Sequence, residues 1–419
     1  MKFKVPFAQG TTLQNAEPAA PARSAPAVGA QTEAFNYFDL DGLLRPEERA
    51  VRDRVRAFVE AEVLPIITDY WERDETPMFL LDKLAALNIC GGSIQGYGCP
   101  GFSPLLAGLV QFELTRGDGS VGTLFGVTSG LGMMSIYLCG SEAQKQYWLP
   151  RLARMEAFCA FALTEPFIGS DAAHIQTTAR RVGDTYVLNG TKRWIGGATF
   201  ADVTVVWAQD DQTGQVAGFL VEKDTPGFHT TKIKGKLALR AMPNADIKLE
   251  NCIIPAANRL EKANSFRDTA AVLRATRLGV AWAAIGHAQA AFELALNYAK
   301  KRRQFGRPIA GFQLVQEKLV NMLAELEYMK ITTAHLSRLS EIPNKLTDGM
   351  ASLAKMNNAR KARQIVAQAR EILGGNGILL EHHVMRHFAD MEAVYSYEGT
   401  NEINTLVVGR EITGLQAFV

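Results

Sequence analysis

The sequence predicts a mainly α-helical protein with a central β domain. Three zones of periodicity carry that reading. Apolar residues recur at helical spacing from Leu44 to about Cys159, follow strand patterns from about Phe161 to Pro255, and return to helical spacing from Ser265 onward. A chain of 419 residues has room for two or three domains. The expected division is an N-terminal helical domain over 36–160, a middle β domain over 161–262 and a C-terminal helical bundle over 263–419.

Residues 1–35 stand apart. Pro18 to Glu33 is rich in alanine and proline and lacks a helical period, so a flexible tail is expected. Lys2, Lys4 and Arg23 suit a transit peptide, whereas Glu17 and the prolines do not. The last residues, Gln416-Ala417-Phe418-Val419, do not form a peroxisomal address. The expected compartment is the cytoplasm for a bacterial chain, and the mitochondrial matrix or peroxisome for a eukaryotic one.

In the first zone Pro46-Glu47-Glu48 opens a helix, because a first turn needs no N–H from proline and favours acids. Val51, Val55, Phe58, Val59 and Val63 follow at helical spacing. Gly91-Gly92 and the stretch from Gly96 to Gly101 are turn-rich breaks. In the middle zone Tyr186-Val187-Leu188 and Arg193-Trp194-Ile195 flank Asn189-Gly190-Thr191-Lys192, a hairpin signal. Val203–Trp207 and Gly218–Val221 are further strands, joined by a polar turn over Asp210–Gly214, and a small antiparallel sheet or barrel is expected. In the last zone long helices are expected over Thr269–Lys301, Phe312–Ile342 and Lys345–Leu373, with a short one from Asn404.

Bulk properties exclude several classes. Lysine and arginine total 45 against 43 acids, so no large field draws the chain to nucleic acid or an anionic membrane. The five cysteines are scattered without a Cys-x-x-Cys pair, which reads as reduced thiols rather than disulfides or a zinc site. No run of 18 apolar residues escapes polar interruption, so no membrane span is expected.

Five segments carry candidate chemistry. Leu163-Thr164-Glu165-Pro166 with Gly169-Ser170-Asp171 offers hydroxyls and a glycine where a backbone N–H can approach a bulky ligand; it also fits an ordinary polar loop. Trp194 beside Gly196 and Gly197 fits a core tryptophan or a ring stacked on a flat cofactor. Arg302-Arg303-Gln304-Phe305-Gly306-Arg307 fits a solvated helix end or a pyrophosphate site. Gly374-Gly375-Asn376-Gly377 exceeds what a helix stop needs and permits close backbone approach. Glu398, in Tyr397-Glu398-Gly399-Thr400 after an apolar run, fits a general base with a raised pKa or a glutamate at a helix start.

Taken together, in this order and spacing, these segments resemble the acyl-CoA dehydrogenase and acyl-CoA oxidase family over about residues 36–419. The resemblance implies an FAD-dependent enzyme, usually a homotetramer, that desaturates an acyl-CoA thioester. It implies that Glu398 is the catalytic base, helped by Arg277, with Tyr397 and Gly399 beside the substrate and Ser170 near both ligands. It assigns Leu163, Thr164, Gly169, Ser170, Trp194, Gly196, Gly375 and Thr400 to FAD, and Arg302, Gln304, Phe305 and Gln313 to the FAD of a neighbouring subunit. Glu371 and Glu402 stand where many members have glutamine. The implied electron acceptor is an electron-transfer flavoprotein or O2.

Two subfamilies are the nearest in motif. Met391-Glu392-Ala393-Val394 and Ile412-Thr413-Gly414-Leu415-Gln416-Ala417-Phe418 resemble glutaryl-CoA dehydrogenase. Gly91 to Gly101, Cys139 to Lys145 and Thr199-Phe200-Ala201-Asp202 resemble plant short-chain acyl-CoA oxidase. Gly122 aligns with the arginine that binds the distal carboxylate in glutaryl-CoA dehydrogenases, so a plain short to medium acyl chain is expected. Gly196 replaces a common threonine and is expected to leave room beside the flavin for oxygen. A catalytically silent flavin-binding scaffold and a non-CoA substrate are the remaining alternatives.

Overall fold

The computed structural model describes residues 36–416. The expected tail over 1–35 and the last three residues of the chain, 417–419, lie outside the described residues. The N-terminal layer holds α1 (Pro46–Phe58), α2 (Ile67–Arg73), α3 (Leu80–Ala86), α4 (Pro104–Gly117), α5 (Gly119–Gly126), α6 (Met133–Cys139) and α7 (Glu142–Ala153). α1 begins as its sequence predicts, with Pro46 in the first turn and the Glu48 carboxylate accepting from Arg45 N–H at 3.0 Å. Between α5 and α6 the chain continues as a π-helix, Val127–Gly132, so the helical path runs unbroken from Gly119 to Cys139. That stretch is long and apolar enough to cross a membrane by length and composition, yet most of it is buried inside the fold.

The middle domain differs from expectation in two ways. Its strands are β1 (Cys159–Ala162), β2 (Thr178–Val182), β3 (Thr185–Gly196), β4 (Val203–Asp210), β5 (Gln215–Glu222), β6 (Phe228–Lys232) and β7 (Asn244–Pro255). They form one sheet in the order β1-β4-β2-β3-β7-β6, with β5 on β4. The sheet is mixed rather than antiparallel, because β4 runs parallel to both β1 and β2. The expected hairpin at Asn189-Gly190 is also absent. β3 passes straight through it and pairs with β7 on both sides, from Thr185↔Pro255 to Gly196↔Asn244. Gly190 instead sits at a register shift, where a Cβ would lie 2.6 Å from Thr177 Oγ1. The reversal occurs at Gly183-Asp184, between β2 and β3.

The C-terminal bundle comprises α8 (Phe266–Lys301), α9 (Gln313–Leu339), α10 (Asp348–Ile372), α11 (Val384–Ser396) and α12 (Asn401–Thr413), with a two-strand hairpin, β8 (Arg303–Gln304) and β9 (Arg307–Pro308), after α8. α11 was not expected, although Val384, His387, Met391 and Val394 share one buried face at helical spacing.

α4 joins the two halves. Leu106, Val110 and Leu114 belong to the core shared with the β domain, while Leu105, Leu109 and Phe112 belong to the bundle core. Gly108 lets α8 close in: a Cβ there would meet the Trp282 ring at 2.2 Å. The cysteines are unpaired as expected, with Cys90, Cys139, Cys159 and Cys252 buried.

Candidate active site

The turn between α11 and α12 builds the centre of the site. Tyr397 N–H donates to Ala393 O and ends α11, and Thr400 Oγ1 caps α12 by accepting from Ile403 N–H at 3.2 Å. Between them Glu398 and Gly399 are left-handed, with φ of 54° and 85°. Glycine takes that conformation freely, but for glutamate it costs roughly 1–2 kcal/mol, so neighbours must hold it. Two side chains do so. Lys355 Nζ donates to Tyr395 O at 3.1 Å and Gly399 O at 2.8 Å, and Asn404 Nδ2 donates to Gly399 O at 2.8 Å and Thr400 O at 3.0 Å.

The Glu398 carboxylate is half-buried by area and crowded by protein atoms. Burial raises its pKa above the usual carboxylate range, against the opposing pull of Thr276, Arg277 and Lys355. Thr276 Oγ1 donates a hydrogen bond directly to Glu398 Oε1. Arg277 acts on Glu398 through its charge, while its Nη1 donates to Ser352 Oγ at 3.0 Å and its buried Nε has no hydrogen-bond partner among the described residues. The Glu398 N–H has no acceptor among the described residues. Tyr397 packs against the bundle core with its phenol pKa raised by burial.

The π-helix Val127–Gly132 links this turn to the β domain. Gly130 lies beside Thr276, where a Cβ would be 3.6 Å from Thr276 Cγ2. Val127 lies beside Gly196, 3.4 Å from where a Cβ would stand. Gly196 does not leave the expected room: the fully buried Met242 puts its methyl 2.3 Å from that same Cβ position. Trp194, two residues earlier on β3, is 52% exposed with φ of 66°, and so is no core tryptophan. Arg193 stacks on its ring at 5.1 Å.

The loop after β1 rests on a buried ion pair that motif reading missed. Lys192 Nζ donates to Glu165 Oε1 at 2.9 Å and to Leu163 O at 3.0 Å. The Glu165 carboxylate also accepts from Gln176 N–H, Thr177 N–H and Thr177 Oγ1–H. Burial brings the Lys192 pKa down to about 8, while on Glu165 the lysine and Thr177 outweigh burial and lower the carboxyl. With the loop base fixed, Leu163 is buried, Thr164 half-buried, and Ser170 exposed beside Gly169, which has open space around it.

Other candidates lie elsewhere. Arg302 is 26 residues beyond Thr276 and closes α8, roughly 39 Å away at the helical rise. Gln304 and Gln313 are exposed there, and Phe305, with φ of 50°, is 94% exposed on the β8–β9 hairpin. Gly375 follows α10, 20 residues or roughly 30 Å beyond Lys355. Glu371 pairs with Lys318 at 2.5 Å near that end. Glu402 is exposed in the first turn of α12, its pKa lowered by the backbone and Thr400. Gly122 packs on α4, where a Cβ would be 2.3 Å from Thr115 Oγ1, and Gln111 Nε2 bonds both Thr115 Oγ1 and Gly122 O.

Three models of the acyl-CoA dehydrogenase family match the chain: the N-terminal domain over 45–156, the middle domain over 160–252 and the C-terminal domain over 266–413. The human mitochondrial short-chain specific acyl-CoA dehydrogenase is 35% identical over 358 residues, which are 84% of this chain and 87% of that protein. Among solved structures, a Mycobacterium smegmatis glutaryl-CoA dehydrogenase in complex with FADH2 superposes with a TM-score of 0.89 at 39% identity, covering 92% of this chain and 99% of that one. Butyryl-CoA dehydrogenase from Megasphaera elsdenii superposes with a TM-score of 0.85 at 31% identity, covering 88% and 98%.

Proposed function

The chain belongs to the acyl-CoA dehydrogenase family, and on that premise we propose that it is an FAD-dependent oxidoreductase that desaturates a short- to medium-chain acyl-CoA between its α and β carbons. The observation that carries this reading is Glu398, a carboxylate of raised pKa held in a left-handed turn between α11 and α12.

The residues present suit a flavin. Trp194 presents a half-exposed ring two residues from Gly196, with Arg193 over one face, and Gly169 and Gly375 have open space where a Cβ would stand. Leu163, Thr164, Ser170, Trp194 and Thr400 would hold one FAD. Arg302, Gln304, Phe305 and Gln313, too far along α8 to reach it within one chain, would reach that of a neighbouring subunit in a homotetramer. FAD, when bound, accepts the β-hydrogen as hydride.

The chain's own residues do the rest. Glu398 takes the proton from the α-carbon, and burial raises its basicity for that step. Its free N–H would donate to the thioester oxygen, where negative charge grows as the proton leaves. Thr276 keeps the carboxylate aimed by its hydrogen bond, and Arg277 and Lys355 limit its pKa rise. The methyl of Met242 fills the space that Gly196 leaves. This supports an electron-transfer flavoprotein over O2 as the acceptor.

The likeness to glutaryl-CoA dehydrogenase at 39% identity favours a second reading. The surroundings of Gly122 argue against it, because Thr115 and Gln111 offer no cation to a distal carboxylate. The test is to reduce the purified protein anaerobically with butyryl-, hexanoyl- and glutaryl-CoA, then admit air. The straight-chain thioesters should bleach the flavin faster than glutaryl-CoA, with slow reoxidation. Glu398→Gln should bind ligand yet bleach at least ~1,000-fold more slowly. Bleaching at the normal rate would remove Glu398 as the base.

A further inference from the structure

We propose that Lys355 is a positioning residue, which locks the left-handed Glu398 turn from beneath and supplies the carboxylate with an opposing charge; the inference rests on Glu398 being the base. Lys355 lies on α10 with its side chain fully buried. A buried ammonium is costly without a carboxylate in direct contact. Here the Nζ hydrogen bonds go to two backbone carbonyls, Tyr395 O and Gly399 O. One precedes Glu398 and the other follows it, so the lysine bridges the mouth of the turn. Asn404 grips the same Gly399 O from α12, but it reaches only the later side of the turn and carries no charge.

The electrostatics follow from the placement. Burial brings the Lys355 pKa down to about 8, with Glu398 and Glu402 favouring its proton and Arg277 opposing it. The groups facing Glu398 are Thr276 and Arg277 from α8, Lys355 from α10 and Tyr397 at the end of α11, while Glu402 from α12 acts on Lys355. Arg277 and Lys355 are its cations, and Lys355 alone is also bonded to the turn backbone. A protonated lysine favours the ionised glutamate. Its loss raises the proton affinity of Glu398, so activity falls away at a higher pH as the medium is acidified.

The experiment compares flavin-loaded wild type, Lys355→Met and Lys355→Arg by the pH dependence of kcat/KM. Lys355→Met should move the acidic limb up by about one pH unit, and Lys355→Arg should restore it. A merely structural lysine would lower the rate at every pH and leave the limb in place, which would overturn the proposal. If Lys355→Met does not fold, the wild type carries the test alone. In an infrared pH titration, with the Glu398 band assigned by its loss in Glu398→Gln, that band should shift again near pH 8 as Lys355 loses its proton. Constancy of the band through that range refutes the proposal. Turnover by Glu398→Gln at the wild-type rate is a separate failure, that of the base assignment.

Discussion

Met242 decides how one side of the site is closed. Its side chain is fully buried, and its methyl occupies the place that a Cβ on residue 196 would take. Met242→Ala removes that plug and should cost about 2–4 kcal/mol of stability. It should also raise the hydrogen peroxide formed per turnover in air several-fold. A peroxide yield unchanged from wild type, in a protein whose melting temperature has dropped, would show that the methionine is packing alone. No pattern in the sequence points to Met242, because it meets Gly196 only through the pairing of β3 with β7 and the loop before it. Thr276 and Lys355 were hidden for the same reason, lying 122 and 43 residues from Glu398. Glu398 and Trp194 were legible because each sits beside a glycine in an unusual local setting. Arg277 shows the limit of that legibility: its segment was found, but the hydrogen bond to Glu398 comes from the threonine before it.

Among elements, α4 carries the largest structural burden. It buries one row against the β domain and another against the bundle, so it has no solvent face along its middle. Gly108 is a point of close approach to α8. Gly108→Ala should cost about 1–3 kcal/mol, since the added methyl collides with a fully buried Trp282 ring whose Nε1 is tied to Ser337. Thermal melting followed by tryptophan fluorescence measures this, and an unchanged midpoint would mean the two helices can part freely. Helices with uninterrupted apolar periods were readable from sequence. The strand through Asn189-Gly190 was not, because that pair has the composition of a turn while its partner strand continues past it. The short α11 was overlooked, although its apolar period is regular; Glu381-His382-His383 before it breaks the preceding pattern.

Over the whole molecule, α8 is the ruler. It carries Thr276 near one end and releases the Arg302–Gln313 arm at the other. Phe305 on this tight hairpin stays 94% exposed among the described residues, with the Phe312 ring edge-on beside it. Under the proposed assembly, replacing Gln304 and Phe305 by alanine should lower the FAD content of the purified protein while leaving the fold of each chain intact. Flavin absorbance per chain and circular dichroism measure the two. Full flavin occupancy in a protein that sediments as a monomer would exclude a shared site.

The length of α8 also has a genetic meaning. Under the proposed assembly, a chain whose two chemical assets lie about 40 Å apart would not bring both to one cofactor, and the unit of function would be larger than the gene product. Two broken alleles, one lacking Glu398 and the other lacking the arm, would then complement each other when co-expressed, because a mixed assembly rebuilds one intact centre from two defective copies.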